Sequence, residues 1–255
     1  MSFALGVLSA VFRRTWIITW RRPVLLTFSL GQPLVWMLFF GFLFQRFPVG
    51  ETGSGYLDFL APGVSVMTVL FGASQAGIGW IRDLQTGFLP RMLSTPASPA
   101  AILAGKVLAD VSRLLLQSAA VLVLALLLGV RLHPEPGAAA LGLLAVALFA
   151  GAFSSLSCAV ALRARSQEVM ATYVHLVNMP LLFTSTALVP GRHMPDWLAA
   201  VSRVNPLSLA VESWRGALLA GEVSAPGTAA AVLTVLFGSA FLLALAQMRG
   251  AEGRY

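Results

Sequence analysis

The stretch Asp58-Phe-Leu-Ala-Pro-Gly63 opens a run that stays free of charge from Phe59 to Ile81. The chain then turns to Arg82-Asp-Leu-Gln-Thr-Gly-Phe-Leu-Pro-Arg-Met-Leu-Ser-Thr-Pro96 and closes on Ile102-Leu-Ala-Gly-Lys106. At about 1.5 Å per residue in a helix, the charge-free part is long enough to cross a hydrocarbon core of roughly 30 Å. The polar part that follows belongs in water, because a charge at mid-bilayer costs about 2.5 to 3.5 kcal/mol even on the lenient insertion scale. A spanning helix therefore delivers a short, structured, basic loop to one face of a membrane. That loop is where another protein would push.

Working outward, composition sets the class. Hydrophobic residues make up 58% of the chain and charged residues 11%, with mean hydropathy +0.83, values a soluble globular domain does not reach. This predicts an all-α integral membrane protein. The net charge of +7 raises the question of nucleic acid. A nucleic-acid binder clusters its basic residues on one surface between aromatic platforms, whereas here they flank apolar runs, as topology signals do. The one cysteine, Cys158, lies in an apolar run and allows no intrachain disulfide. Arg13-Arg14 resembles the start of a twin-arginine signal, but no long apolar core follows before Arg21-Arg22-Pro23 and no small-residue cleavage site closes it, so the segment reads as mature protein.

Along the chain, residues 3–20 space Leu5, Leu8, Phe12, Trp16 and Trp20 three or four apart, which predicts an amphipathic helix lying in the interface. Six spans are predicted, at about 24–44, 59–81, 114–130, 138–162, 169–188 and 228–248, all in one transmembrane domain of 1–255. The first is interrupted by Gln32-Pro33 and the fifth by Pro180. A glycine-rich loop occupies 46–56, and the third span is preceded by Lys106, Asp110 and Arg113 on one helical face. Between 189 and 227 the pattern is of one or two short re-entrant or interfacial helices broken at Asn205-Pro206.

Six spans put both termini on one side. On that side lie twelve cations: Arg13, Arg14, Arg21, Arg22, Arg82, Arg91, Lys106, Arg113, Arg163, Arg165, Arg249 and Arg254. The other side has five: Arg46, Arg131, Arg192, Arg203 and Arg215. The positive-inside rule makes both termini cytoplasmic, so the turns at 82–101 and 163–168 face the cytosol.

None of the predicted spans contains Asp, Glu, Lys or Arg, which counts against ion-coupled carriers and proton pumps. The only Gly-Lys pair, Gly105-Lys106, lacks the glycine and the Ser or Thr of a phosphate loop, so an ATPase would be a separate polypeptide. In the first polar turn Pro90, Pro96 and Pro99 stiffen the backbone, while Phe88, Leu89, Met92 and Leu93 offer an apolar anchor. Two readings stand there: a lever docked in the groove of an ATPase, or a solvated turn resting on the headgroups.

At this point the residues resemble a family. Tyr56-Leu-Asp-Phe-Leu-Ala-Pro62-Gly63, Arg82-Asp83 with Gly87-Phe-Leu and Ser94-Thr-Pro96, and Gly105-Lys106 look like the core of ABC transporter permeases of the second type. Met194-Pro-Asp-Trp197, Asn205-Pro206-Leu and Trp214-Arg215-Gly216 are similar to that family's segment before the last span. The resemblance covers nearly the whole chain, and the wording around Gly87 looks most like daunorubicin-resistance-type drug exporters. It implies a multi-pass subunit of a bacterial-type cell membrane that pairs with a second permease, identical or paralogous, and with two ATP-binding subunits. ATP and magnesium would be bound by those partners, and an amphipathic drug, lipid or glycan exported. It further implies an ATPase-coupling loop of Arg82, Asp83, Gly87, Phe88, Leu89, Pro90, Arg91 and Pro96. Further ATPase contacts would come from Arg13 and Arg14 and from Arg163, Arg165 and Glu168. The family often has Glu where this chain has Asp83.

Other residues admit two readings. Tyr173, His175 and Asn178 line a substrate path or make interhelical hydrogen bonds. Trp36, Phe40 and Phe44 form an aromatic wall for a planar substrate or a packing face. A rival function, an intramembrane hydrolase, would use Ser74 with His175 as base but has no evident third group. A passive channel or scaffold lacks a ring of charges in the spans.

Overall fold

In lipid every backbone N–H and C=O has to find a partner within the protein, and a single apolar segment achieves that only as a helix. The computed structural model describes residues 2–21, 23–44, 55–223 and 226–252, and among these it contains helices and no strand. In chain order they are α1 (Ser2–Trp20), α2 (Pro23–Leu43), α3 (Tyr56–Ser74), α4 (Ala76–Gln85), α5 (Phe88–Leu93), α6 (Pro99–Leu127), α7 (Pro136–Ala164), α8 (Gln167–Phe183), α9 (Asp196–Val204), α10 (Pro206–Arg215) and α11 (Pro226–Glu252). A 3-10 turn at Gly191–His193 precedes α9, and a π-helical turn at Gly216–Ala220 follows α10. Most of the glycine-rich loop, together with Arg22, Arg46 and Arg254, lies outside the described residues.

Among the described residues, four segments are long and apolar enough to cross a membrane: Tyr56–Gln85, Pro99–Leu127, Pro136–Ala164 and Pro226–Gly250. The sequence reading counted six. Of the remaining two, α2 contributes the shorter apolar stretch Pro33–Leu43, and α8 stops at Phe183 rather than at 188. Beyond Phe183 the backbone carbonyls find partners outside the helix: Thr186 accepts from Arg215 at 3.0 Å and Leu188 from the Tyr56 hydroxyl at 2.8 Å.

The second predicted span is not one helix either. It breaks at Gln75, between α3 and α4. The Ser157 hydroxyl of α7 enters the break, donating to the Ser74 carbonyl at 2.6 Å and accepting from the Gly77 N–H at 2.8 Å. A side chain inserted into the helical ladder is a recognised cause of a sharp kink. Gly77 has room for it only because it lacks a side chain, since a Cβ there would lie 2.8 Å from that same hydroxyl.

Helix α7 runs through the middle, packed by α3, α4, α6, α10 and α11. Two apolar cores lie along it. One gathers Leu60, Val64, Met67 and Leu70 of α3, Val121 of α6, Phe149 of α7, and Leu207 and Trp214 of α10. The other gathers Val11, Trp80, Ile81, Leu89, Leu103, Leu162, Met170 and Met248, and so joins α1, α4, α5, the start of α6, the end of α7, the start of α8 and the end of α11.

The short helices before the last span are present and break where the sequence reading put the break. Asn205 caps α10 by accepting from the Leu207 N–H at 2.8 Å, and its amide donates to the Leu181 carbonyl at 2.8 Å and to the Thr184 hydroxyl at 2.9 Å. Pro206 follows as the first helical residue, where a missing N–H costs nothing. Helix α10 packs on α3, and the turn after α8 seats against α3 at Gly63, at which any Cβ would overlap the Ala187 carbonyl.

Candidate functional site

The second core ends in a charged knot. Asp83, near the end of α4, is 7% exposed and accepts from Lys106 Nζ of α6 at 2.5 Å and from Arg14 Nη2 of α1 at 3.0 Å. A buried carboxylate is tolerable only when paired and hydrogen-bonded, and this one is held on both oxygens. Each cation also covers an aromatic ring: the Arg14 guanidinium lies 3.5 Å from the centroid of Phe88 at the start of α5, and Lys106 Nζ lies 4.0 Å from that of Trp80 in α4. One carboxylate thereby ties α1, α4, α5 and α6 together.

The pair Gly105-Lys106 is explained by this arrangement. A Cβ at Gly105 would lie 2.6 Å from the Leu8 carbonyl, so glycine lets α1 cross α6 in contact with its backbone, and the next residue supplies the ion pair. Two turns further on, Arg113 reaches the Asp110 carboxylate at 3.7 Å, Gln117 Oε1 at 3.1 Å and the Gly72 carbonyl at 3.4 Å. Its contact with Gly72 reaches the chain just before the α3–α4 break.

Between α4 and α5 the chain reverses at Gly87, whose φ of 71° is the left-handed conformation that glycine adopts without strain. The apolar face of α5 is turned inward. Leu89 is buried in the second core, with Met92 and Leu93 packed against it and Phe88 under Arg14. These four residues, expected as an anchor for a partner, therefore hold α5 to its own subunit. The face left to solvent is polar: Gln85, Thr86, Arg91, Ser94, Thr95 and Pro96 are exposed, with Pro90 and Arg82 half-buried. Arg13 is exposed as well, and so are Arg163, Arg165 and Glu168 in the turn from α7 to α8. Arg165 ends α7 in a left-handed conformation, φ 52°, with its N–H donating to the Ala161 carbonyl.

The family model for ABC-2 type transporters matches residues 7–219, from α1 through the π-helical turn. The chain belongs to the ABC-2 type transporter family. It is 31% identical over 216 residues to the ycf38 transport permease of Cyanophora paradoxa, an alignment that covers 84% of this chain and 74% of that one. Against the daunorubicin resistance ABC transporter permease protein DrrB1 of Streptomyces coeruleorubidus it is 31% identical over 193 residues, covering 76% of this chain and 68% of that one. A more distant relative is nodulation protein J of Sinorhizobium fredii, 26% identical over 214 residues, covering 82% and 80% of the two chains.

Elsewhere in this ABC-2 subunit, the residues weighed for a substrate path do not converge. Trp36, Phe40 and Phe44 stack in sequence along α2, with centroids 5.4 and 5.9 Å apart, and continue to Tyr56 of α3 at 5.3 Å. On α8, Asn178 points inward and accepts from the Ser74 hydroxyl at 2.7 Å, Tyr173 is half-buried and His175 is exposed. Ser74 is thus held by an amide rather than by a base, which leaves the hydrolase reading without its proton acceptor.

Sequence reasoning missed three residues that organise the ABC-2 fold. Ser157, one hydroxyl among many in an apolar helix, carries no signal. Lys106 was read as part of a motif and an amphipathic face, and its partner Asp83 is 23 residues away. Arg215, counted among the cations of the far loops, is buried; it donates to the carbonyls of Phe59 and Thr186, pairs with Glu212 at 2.7 Å and lies 3.7 Å from the Phe59 ring centroid. The Trp214-Arg215-Gly216 wording was the one hint.

Proposed function

We propose that this chain is the membrane-spanning subunit of an ATP-driven exporter, with α1 and the α4–α5 turn as the elements through which a separate ATPase moves it. The observation that carries the reading is the Arg14–Asp83–Lys106 knot. It makes α1, α4, α5 and the start of α6 one mechanical unit while leaving a polar, basic face of that unit in solvent. A push on Arg91 or Ser94 would be transmitted to α6 and, through the kink at Gln75, to α3. In this reading both termini are cytoplasmic, and two ATP-binding subunits serve a pair of permeases. The cargo is an amphipathic drug, lipid or glycan moved by alternating access; the resistance permease from Streptomyces supports the drug among these.

The test separates the contact face from the fold. Arg91 is exposed and takes no part in the knot, so Arg91→Glu should leave the detergent-solubilised subunit as stable as the parent. It should also weaken retention of the co-expressed ATPase and uncouple hydrolysis from export in proteoliposomes. Normal ATPase retention and normal export by Arg91→Glu combined with Thr95→Glu would refute the assignment of this face.

A further inference from the structure

A cavity of about 410 Å³ lies between α1, the α3–α4 break and the start of α6, within the range of about 300 to 1,000 Å³ in which small-molecule groups are bound. Its lining is mixed in a particular way. Four cations, Arg14, Arg82, Lys106 and Arg113, face two carboxylates, Asp83 and Asp110, so positive charge is in excess. Lys106 and Arg14 share Asp83, and Arg113 is taken up by Asp110 and Gln117. Arg82 has no ion-pair partner among the described residues. Ile18, Ala76 and Ile78 add an apolar flank.

Two lining residues carry buried polar atoms without a partner, Thr15 Oγ1 and Asp110 Oδ2. Such atoms cost free energy comparable to a lost hydrogen bond unless something answers them. Water alone would satisfy both atoms but would leave the charge excess. An anion that accepts from Thr15 and Arg82, and also carries a hydroxyl able to donate to Asp110, satisfies all three.

We propose that this cavity binds the phosphate ester of an anionic glycerolipid headgroup, with Arg82 and Thr15 on the phosphate, a headgroup hydroxyl on Asp110, and the start of the acyl chains against Ile18 and Ile78. A bilayer lipid is favoured over a soluble phosphate ester because the wall of the cavity is α1, the helix whose tryptophan-bearing apolar face suits the headgroup layer. The inference takes from the sequence reading only that α1 lies along the membrane surface. It needs no ATPase.

The experiment uses the full-length subunit alone, in nanodiscs of phosphatidylcholine or of equal parts phosphatidylcholine and phosphatidylglycerol, with lipid retained after detergent extraction read by native mass spectrometry. The parent should keep phosphatidylglycerol in preference to phosphatidylcholine. Arg82→Gln and Thr15→Val, neither of which touches the Asp83 knot, should each lower that preference, Arg82→Gln by about tenfold as expected for loss of a charge-assisted contact, and Arg82→Lys should restore part of it. Equal retention of the two lipids, or a preference unchanged in both variants, overturns the proposal. Glycerol 3-phosphate that displaces the retained lipid at equal concentration overturns the lipid as source. Since no ATPase is present, these results stand apart from the outcome of the coupling experiment.

Discussion

At the scale of single residues, Asp83 decides most. Removing one member of a buried ion pair leaves an uncompensated charge and costs about 3 to 5 kcal/mol. Asp83→Ala strands Lys106, whose side chain is 7% exposed, but leaves Arg14, at 31%, free to turn to water. Asp83→Ala should therefore lower the thermal midpoint of the solubilised subunit sharply, while Arg14→Ala should cost about 1 kcal/mol or less, as for a partly exposed pair. Apolar replacement of a buried pair is often neutral, so Asp83→Leu with Lys106→Met should recover most of the stability lost in Asp83→Ala. If that double variant is stable and still fails to couple ATP hydrolysis to export, the knot transmits motion as well as holding the fold. At the other end of the bundle, Arg215→Met should unseat α10 from α3, because the carbonyls of Phe59 and Thr186 lose their donor. Accelerated hydrogen exchange at 184–221, with exchange in α4 and α6 unchanged, would register it.

At the scale of elements, the kink at Gln75 is the point where α3 and α4 can change their mutual angle. Ser157→Ala removes the hydroxyl that satisfies both Ser74 C=O and Gly77 N–H, and leaving a buried donor unmade costs about 1 to 3 kcal/mol. The expected response is a straighter α3–α4, seen as a changed distance between spin labels at exposed Gln85 and Leu128; an unchanged distance would mean that the angle is set by the packing of α4 on α7 instead. The same kink shows what a sequence does and does not disclose. The apolar runs, the short helices around Asn205-Pro206 and the basic turn were legible because periodicity, capping and charge are local properties. The break was not, because it depends on a serine 83 residues away along the chain, and neither was the inward face of α5. An apolar face is equally suited to a partner and to the subunit's own core, and only the position of Leu89 against Trp80 and Leu103 decides between them.

At the scale of the whole molecule, the path of the chain bears on whether α2 and α8 cross the membrane alongside the four segments of spanning length among the described residues. Helix α1 is fixed to the start of α6 by its backbone contact at Gly105 and through Asp83, which Arg14 shares with Lys106. Helix α3 begins at the opposite end of α6, where Asp58 accepts from the Arg131 N–H at 3.1 Å. The chain between them, which includes α2, has to travel the length of α6. Helix α8 likewise places Met170, in its first turn, in the second core and Leu182, near its end, in the first, where Ala187 and Leu188 of the following turn join it. Its 17 residues span about 25 Å, short of a hydrocarbon core of roughly 30 Å, and the turn packed against Gly63 makes up the difference in protein rather than lipid. The prediction is that α2 and α8 both cross. Cys158 is the single cysteine and is buried, so Cys158→Ala offers a background without reactive thiols. In sealed cells an impermeant maleimide should label Glu135→Cys and Asp196→Cys directly, and Ser9→Cys, Ser94→Cys and Glu168→Cys only after permeabilisation. If α8 did not cross, Asp196→Cys would be protected along with Glu168→Cys. If α2 did not cross, Ser9→Cys would label from outside while Ser94→Cys stayed protected, a separation that the contact of Leu8 with Gly105 forbids.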